Sequence, residues 1–226
     1  MMDSDIPAPS ADVLPRPYDR AEKVSDALVH LAGLVLAVVA VPVLITLTAL
    51  WRGDAAGVLG VSVYGATLIA MLSASLAYNH IANPDWTDLL RRLDMSAIYL
   101  KIAGTVTPFV VLSGTGMAFL SAMWTGAVLA TATVFLRRRR SSVISVGIGL
   151  ALGWAVLVAG GEVIATTSWP VFGLMLAGGL LYSLGTPFLL LGGMRFHNTI
   201  WHGFVVVASV VFCVAIFWHL AATSLI

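Results

Sequence analysis

The chain has 226 residues, 59% of them hydrophobic and only 10% charged, a balance that excludes a soluble globular domain and marks an integral membrane protein. A formal net charge of +1 gives no argument for nucleic acid or an acidic substrate, because in a membrane protein the placement of basic residues matters more than their sum. The single cysteine, Cys213, lies in an apolar run, so an internal disulfide is excluded and the residue reads as a small buried hydrophobe.

Met1 to Pro17 is rich in Pro and Asp and has no apolar core. It reads as a disordered cytoplasmic tail, extending to about residue 20, with no cleavable signal peptide visible. Residues 21–226 then form one transmembrane domain. A spanning helix needs roughly 20 apolar residues, and the apolar runs divide into about seven such spans. The first covers Ala27 to Leu50 and stops at Trp51-Arg52-Gly53-Asp54. The second, Gly57 to Ala82, ends at Asn83-Pro84-Asp85. Leu93 to Leu112 is the third, and Ser113-Gly114-Thr115-Gly116 separates it from the fourth, Met117 to Leu136, which runs into four arginines at 137–140. Val143 to Ala159 is a shorter fifth, followed by Gly160-Gly161-Glu162. Pro170 to Leu191 is the sixth and Asn198 to Leu220 the seventh. The least defined boundary lies between the fifth and sixth, where Glu162 and Thr166 to Pro170 must hold a turn.

Basic residues are retained on the cytoplasmic side of a membrane. One set of connections carries Arg16, Arg20, Lys23, Arg91, Arg92, the arginines at 137–140 and Arg195; the other carries only Arg52. The expected fold is therefore an all-α bundle of seven transmembrane helices with the N-terminus cytoplasmic and the C-terminus outside. The arginine run reads as a topology anchor and not as a nucleic-acid patch. In this topology the end of span two and the starts of spans three and seven share one depth, and those are the places where polar residues gather. Ser75 and Asn79 are four residues apart and share a helix face, as do Asn198 and His202. With Asp94 they bring a carboxylate, an imidazole, carboxamides and a hydroxyl toward one pocket under the cytoplasmic surface. Polar groups at such depth are costly unless they meet partners.

The order E-K-V-S-D-A-L-V-H-L-A-G from Glu22, S-L-A-Y-N ending at Asn79, L-D-M-S-A-I-Y-L-K-I-A-G-T-V-T-P-F from Leu93, G-G-L-L-Y-S-L-G from Gly178 and N-T-I-W-H from Asn198 resembles the hemolysin III family. That family is the bacterial branch of the progestin and adiponectin Q receptor superfamily, more distantly related to alkaline ceramidases. The resemblance covers nearly all of the chain after Arg20 and implies a multi-pass protein of the bacterial inner membrane with seven helices and the N-terminus inside. In metal-binding members a similar pattern has S-x-x-x-H ending span two, an Asp opening span three and H-x-x-x-H opening span seven. Three histidines hold zinc there, with the Ser and Asp beside a metal-bound water. Laid onto this chain, Ser75, Asp94 and His202 match, while Asn79 and Asn198 stand at the other two His positions.

Carboxamide oxygen is a poor replacement for imidazole on zinc, so this departure weakens the case for the metal. His80 and His197 each sit one residue from a lost position and form an alternative three-His set with His202. One residue turns a helical side chain by roughly 100°, which opposes that set. The reading favoured is a metal-free polar pocket of Ser75, Asn79, Asp94, Asn198 and His202, with His30 facing it from span one. Lys101, two turns after Asp94, is expected either to compensate that carboxylate or to snorkel to the interface.

His219 beside Trp218 reads as an interfacial anchor. Glu22 reads as a helix N-terminal charge, and Gly178, Gly179 and Gly185 with Ser183 as close-packing positions. Pro108 and Pro187 are expected to kink their spans and open space for a lipid-like ligand. No nucleotide-binding loop is present. Three functions follow in order: a lipid-facing pocket protein in membrane lipid or stress homeostasis; a metal-dependent hydrolase of a lipid amide or ester, with Asp94 and Ser75 orienting the attacking water and His202 a ligand; and a pore, which the family name implies.

Overall fold

The computed structural model describes residues 18–136 and 142–224, so the tail expected over residues 1–17 and the arginines at 137–140 lie outside the described residues. Among the described residues the chain is all-helical: α1 Arg20–Arg52, α2 Ala55–His80, α3 Pro84–Ser113, α4 Met117–Leu136, α5 Ser142–Ala159, α6 Gly161–Ala165, α7 Trp169–Leu190 and α8 His197–Ser224. All but the five-residue α6 are long and apolar enough to cross a membrane, which makes this a multi-pass protein with seven candidate spans.

Several helices extend beyond their apolar runs because capping signals set their ends. Asp19 caps α1: its side chain accepts from the Glu22 amide at 2.8 Å while the Glu22 carboxylate accepts from the Asp19 amide at 3.0 Å, a capping box that starts the helix seven residues before Ala27. Asn83 caps α3 with Pro84 in its first turn, so α3 starts well before Leu93. Its opening turns carry charge, including an Arg92–Asp88 pair at 2.8 Å, which an apolar-run criterion does not see. Of the segment expected to turn, Glu162 lies in the short helix α6 and the turn follows at Thr166 to Ser168.

The inward face of α1 is a single stripe of Glu22, Asp26, His30, Gly33, Ala37, Val41, Leu44 and Thr48, spaced by three or four residues. Val24, Leu28, Leu31, Val35 and Val39 point outward. The stripe therefore begins with ionisable residues near the N-terminus and becomes apolar deeper in. α3 is the most buried span and packs against α2, α4, α5 and α8. α1 lies against α2 and α8, and α7 against α8. α5, with no fully buried residue, forms an outer wall.

Lipid tails are as apolar as leucine, so close van der Waals fit holds such helices together. At Gly104 an added Cβ would stand 2.1 Å from the Thr67 hydroxyl of α2, and at Gly178 2.5 Å from the Phe212 ring of α8. Either position admits only glycine without displacement of its neighbour. Pro108 and Pro187 lie inside helices that continue past them.

The end of the bundle far from the N-terminus is fastened by Arg52. Its guanidinium reaches Asp54 at 2.7 Å and donates to the carbonyls of Leu112 at 3.0 Å and Thr223 at 3.3 Å, joining the ends of α1, α3 and α8. His219 belongs to this end but is not an interfacial anchor. It is 1% exposed, 2.9 Å from the Ser113 hydroxyl and 3.2 Å from the Phe109 carbonyl, because its face of α8 packs on α3. Trp218, on the opposite face, is exposed.

Asp54 caps α2 through the Gly57 amide, and that hydrogen bond, with Arg52 beside it, holds its carboxyl below the usual carboxylate range. Its contribution to stability is present at neutral pH and is lost as pH falls through the depressed folded-state value. Asp54→Ala is expected to cost about 0.5–2 kcal/mol, read as a lower thermal midpoint at pH 7 and a smaller difference from wild type in acid. Equal midpoints at pH 7 would count against the cap.

Candidate functional site

The polar start of the α1 stripe meets the end of α2 and the start of α8, and Asp26 is where they join. One Asp26 oxygen accepts from His202 Nδ1 at 2.6 Å and the other from His80 Nε2 at 3.1 Å. His30, four residues on along α1, donates from Nδ1 to the Asp26 backbone carbonyl at 2.9 Å. Its Nε2 lies 3.1 Å from the Ser75 hydroxyl, which is also 3.3 Å from His202 Nε2. The His30 and His202 rings sit 4.0 Å apart, centre to centre. Asp26, His30, Ser75 and His202 are buried, and His80 is half-buried.

These contacts constrain the protons. The Nδ1 atoms of His30 and His202 both face oxygens that only accept, so each carries hydrogen. Ser75 has one proton to offer and two Nε2 atoms to satisfy. One hydroxyl cannot donate to both rings, and Asp94 is a third group turned toward it.

Of the residues expected from the sequence, Ser75, Asn79, Asp94, Asn198, His202, His30 and Lys101 all line one cavity of about 560 Å³ bounded by α2, α3, α5, α7 and α8. Asp94 is half-buried and turned toward Ser75. The carboxamides pair with each other: Asn198 donates to the Asn79 oxygen at 3.1 Å, and Asn79 donates to the Ser75 carbonyl at 2.9 Å. They serve as a bridge between α2 and α8.

Two expectations need correction. His197 does not join His80 and His202: its Nδ1 donates to the Phe188 carbonyl at 3.0 Å and its Nε2 accepts from Tyr18 at 2.6 Å, the consequence of its one-residue offset from Asn198. Lys101 neither pairs with Asp94 nor snorkels. It is 3% exposed, donates to the Tyr182 hydroxyl and lies 4.2 Å from the Tyr182 ring centre and 5.2 Å from that of Phe212. α7 and α8 close over it and offer a hydroxyl and aromatic faces nearer than any carboxylate.

At the positions that hold zinc in metal-binding members, Asn79 and Asn198 bond each other and His202 donates to Asp26. A different set does come together: Asp26, His30 and His80 each present a ligand atom, all within 4.8 Å of one another. Two imidazoles and a carboxylate suit zinc.

Asp26 was not among the residues expected here, although a carboxylate four residues before a histidine in an apolar helix is a readable signal. Glu22 does more than start α1. It is buried, and its carboxylate also accepts from the Phe196 amide at 2.9 Å. Phe196 has φ +57°, a left-handed conformation rare for a side chain of its size. Arg195 reaches Asp19 at 2.7 Å; the Glu22 amide first, and this guanidinium in addition, hold the Asp19 carboxyl below its ordinary range. The α7–α8 connection is thus tied to the α1 N-terminus, which fixes the register of His197, Asn198 and His202.

The haemolysin-III-related family model matches residues 19–213. The chain is 32% identical over 198 residues to the Hemolysin-3 homolog of Bacillus subtilis strain 168, covering 85% of this chain and 92% of the relative. It is 33% identical over 206 residues to Hemolysin-3 of Bacillus cereus, covering 90% and 94%.

Asp26→Ala removes the acceptor for two imidazoles from different helices. The buried His202 donor alone should then cost about 1–3 kcal/mol, read as a lower thermal midpoint of the purified protein in detergent. A variant as stable as wild type would show that the carboxylate does not hold α2 and α8 to α1.

Proposed function

We propose that this chain, which belongs to the haemolysin-III-related family, holds a lipid-like amphiphile inside its helical bundle and serves membrane lipid or stress homeostasis. In this reading it sits in the bacterial inner membrane with the N-terminus inside, as the bias of Arg and Lys toward one set of connections supports. The polar part of the ligand lies in the cytoplasmic-side half of the cavity, whose polar lining runs from Asp94, Ser75 and His202 to Lys101. Its tail runs toward the opposite face between α3, α5 and α7.

The observation that carries the reading is the shape and lining of the cavity. At one end are Asp94, Ser75, Asn79 and His202; farther in the walls are Phe172, Met175, Leu176 and Phe109. A polar end and an apolar barrel match an amphiphile and suit neither water nor an ion. A cavity of this kind in a membrane protein fills with the molecules around it.

Gly153 of α5 lines the cavity, and a Cβ added there meets nothing within 4 Å. Gly153→Phe should therefore fill the apolar part without disturbing the helix contacts. The lipid profile of purified wild-type protein, taken by native mass spectrometry, is expected to contain a tightly held amphiphile that Gly153→Phe lacks. Identical profiles for the two proteins would overturn the reading.

A second reading, hydrolysis of a lipid amide or ester, is favoured by the grouping of Asp26, His30 and His80 at the polar end. A divalent ion there would supply a water made nucleophilic at neutral pH. With such an ion bound, Asp94 would accept a proton from the water and Ser75 would orient it. This reading expects about one equivalent of zinc in purified protein, lost in both Asp26→Ala and His30→Ala. Metal-free wild type that still carries its lipid would discard hydrolysis of this type and leave the first reading in place.

A further inference from the structure

Lys101 is a buried amine inside the membrane-spanning bundle, and no carboxylate among the described residues pairs with it. It donates to the Tyr182 hydroxyl, Tyr182 lies 2.8 Å from the Ser209 hydroxyl, and Ser209 donates to the Val205 carbonyl at 2.8 Å. The chain of donors runs one way, since the last hydroxyl is committed to a backbone oxygen. Each hydroxyl passes its hydrogen onward and Lys101 stands at the head. An ammonium has three hydrogens, and only the contact to Tyr182 uses one. The aromatic faces of Tyr182 and Phe212 cover one side of the nitrogen. Its other side borders the cavity, which Lys101, Tyr182 and Thr105 line together.

We infer that Lys101 is the anchor for a carboxylate on the bound amphiphile, so that the cavity takes a long-chain carboxylic acid. The inference rests on the amphiphile reading and narrows it to one ligand class. Two hydrogens without acceptors need an anion or hydroxyl to meet them, and burial makes a charge-assisted pair the strongest available. A single amine with one tyrosine beside it matches a monoanion; a phosphate would require more donors than are present.

The depth fits as well. Lys101 lies seven residues beyond Asp94, roughly 10 Å deeper. From Tyr182 back to Phe172 along α7 the walls are apolar for roughly another 15 Å, room for a saturated tail. Lys101 thus marks the boundary between the polar and apolar parts of the cavity.

The test uses the whole protein, delipidated in detergent, and displacement of cis-parinaric acid by oleate, oleyl alcohol or oleoyl lysophosphatidate. Oleate is expected to displace the probe at about tenfold lower concentration than the alcohol, and more effectively than the lysophosphatidate. Lys101→Gln should bring oleate and the alcohol to the same value while the alcohol still binds. Equal displacement by oleate and alcohol in wild type would overturn the carboxylate anchor and leave the amphiphile reading intact. So would a preference that survives Lys101→Gln, or lysophosphatidate outcompeting oleate. No binding of the probe or of any of the three ligands would overturn both. Because the acid-to-alcohol comparison is made on wild type, a variant that fails to fold does not rescue the inference.

Discussion

The Asp26 carboxylate is the interaction on which this end of the molecule depends. It lies on α1 yet accepts from an imidazole on α2 and another on α8. In a medium that cannot hydrate a carboxylate, such an anion survives only when its neighbours supply donors and charge. Three helices are thereby held at one depth. His30 and Ser75 close the ring of contacts from α1 and α2. The polar cluster is a fastening built from ionisable groups.

The rest of the bundle follows from how each level is held. At the opposite end Arg52 performs the equivalent task with backbone carbonyls of α3 and α8. Between the two ends the Lys101–Tyr182–Ser209 chain links α3, α7 and α8, and close contact rests on glycines such as Gly104 and Gly178 that let helices approach. α5 is the exception. It packs loosely, buries no residue fully, and leaves the space that becomes the cavity. Ligand space thus appears where packing is weakest and is framed at one end by the strongest polar contacts.

Much of this was legible in the sequence, and the failures have physical reasons. The fourth span matches residue for residue, since both its ends coincide with changes in polarity. α1 and α3 began earlier than expected, because Asp19 and Asn83 cap polar turns that an apolar run does not include. Residues expected near one another, such as Ser75 with His202, are near because helices of similar length return to the same depth. Partner identity was harder. Asn79 and Asn198 bond each other, and Lys101 meets Tyr182, choices made by helix rotation that spacing along one helix does not specify. Asp26 shares a face with His30, but spacing along α1 does not specify that imidazoles of α2 and α8 meet it. His219 looked like an anchor from its place in the sequence, but its face of α8 turns inward.

The chemistry of the site follows the same division. Its polar end carries carboxylates, imidazoles and a hydroxyl in one connected group, and its apolar end offers only packing. The Asn79–Asn198 pair occupies the positions of the family's expected ligands, while Asp26, His30 and His80 gather beside it. The central claim, that the bundle encloses an amphiphile with its polar part toward Asp26, is tested most directly by an experimental structure of the full protein in lipid nanodiscs. The account predicts one elongated density between α3, α5 and α7 that runs from the level of Lys101 toward Phe172. A structure in which α5 has closed against α3, leaving neither cavity nor density, would contradict it.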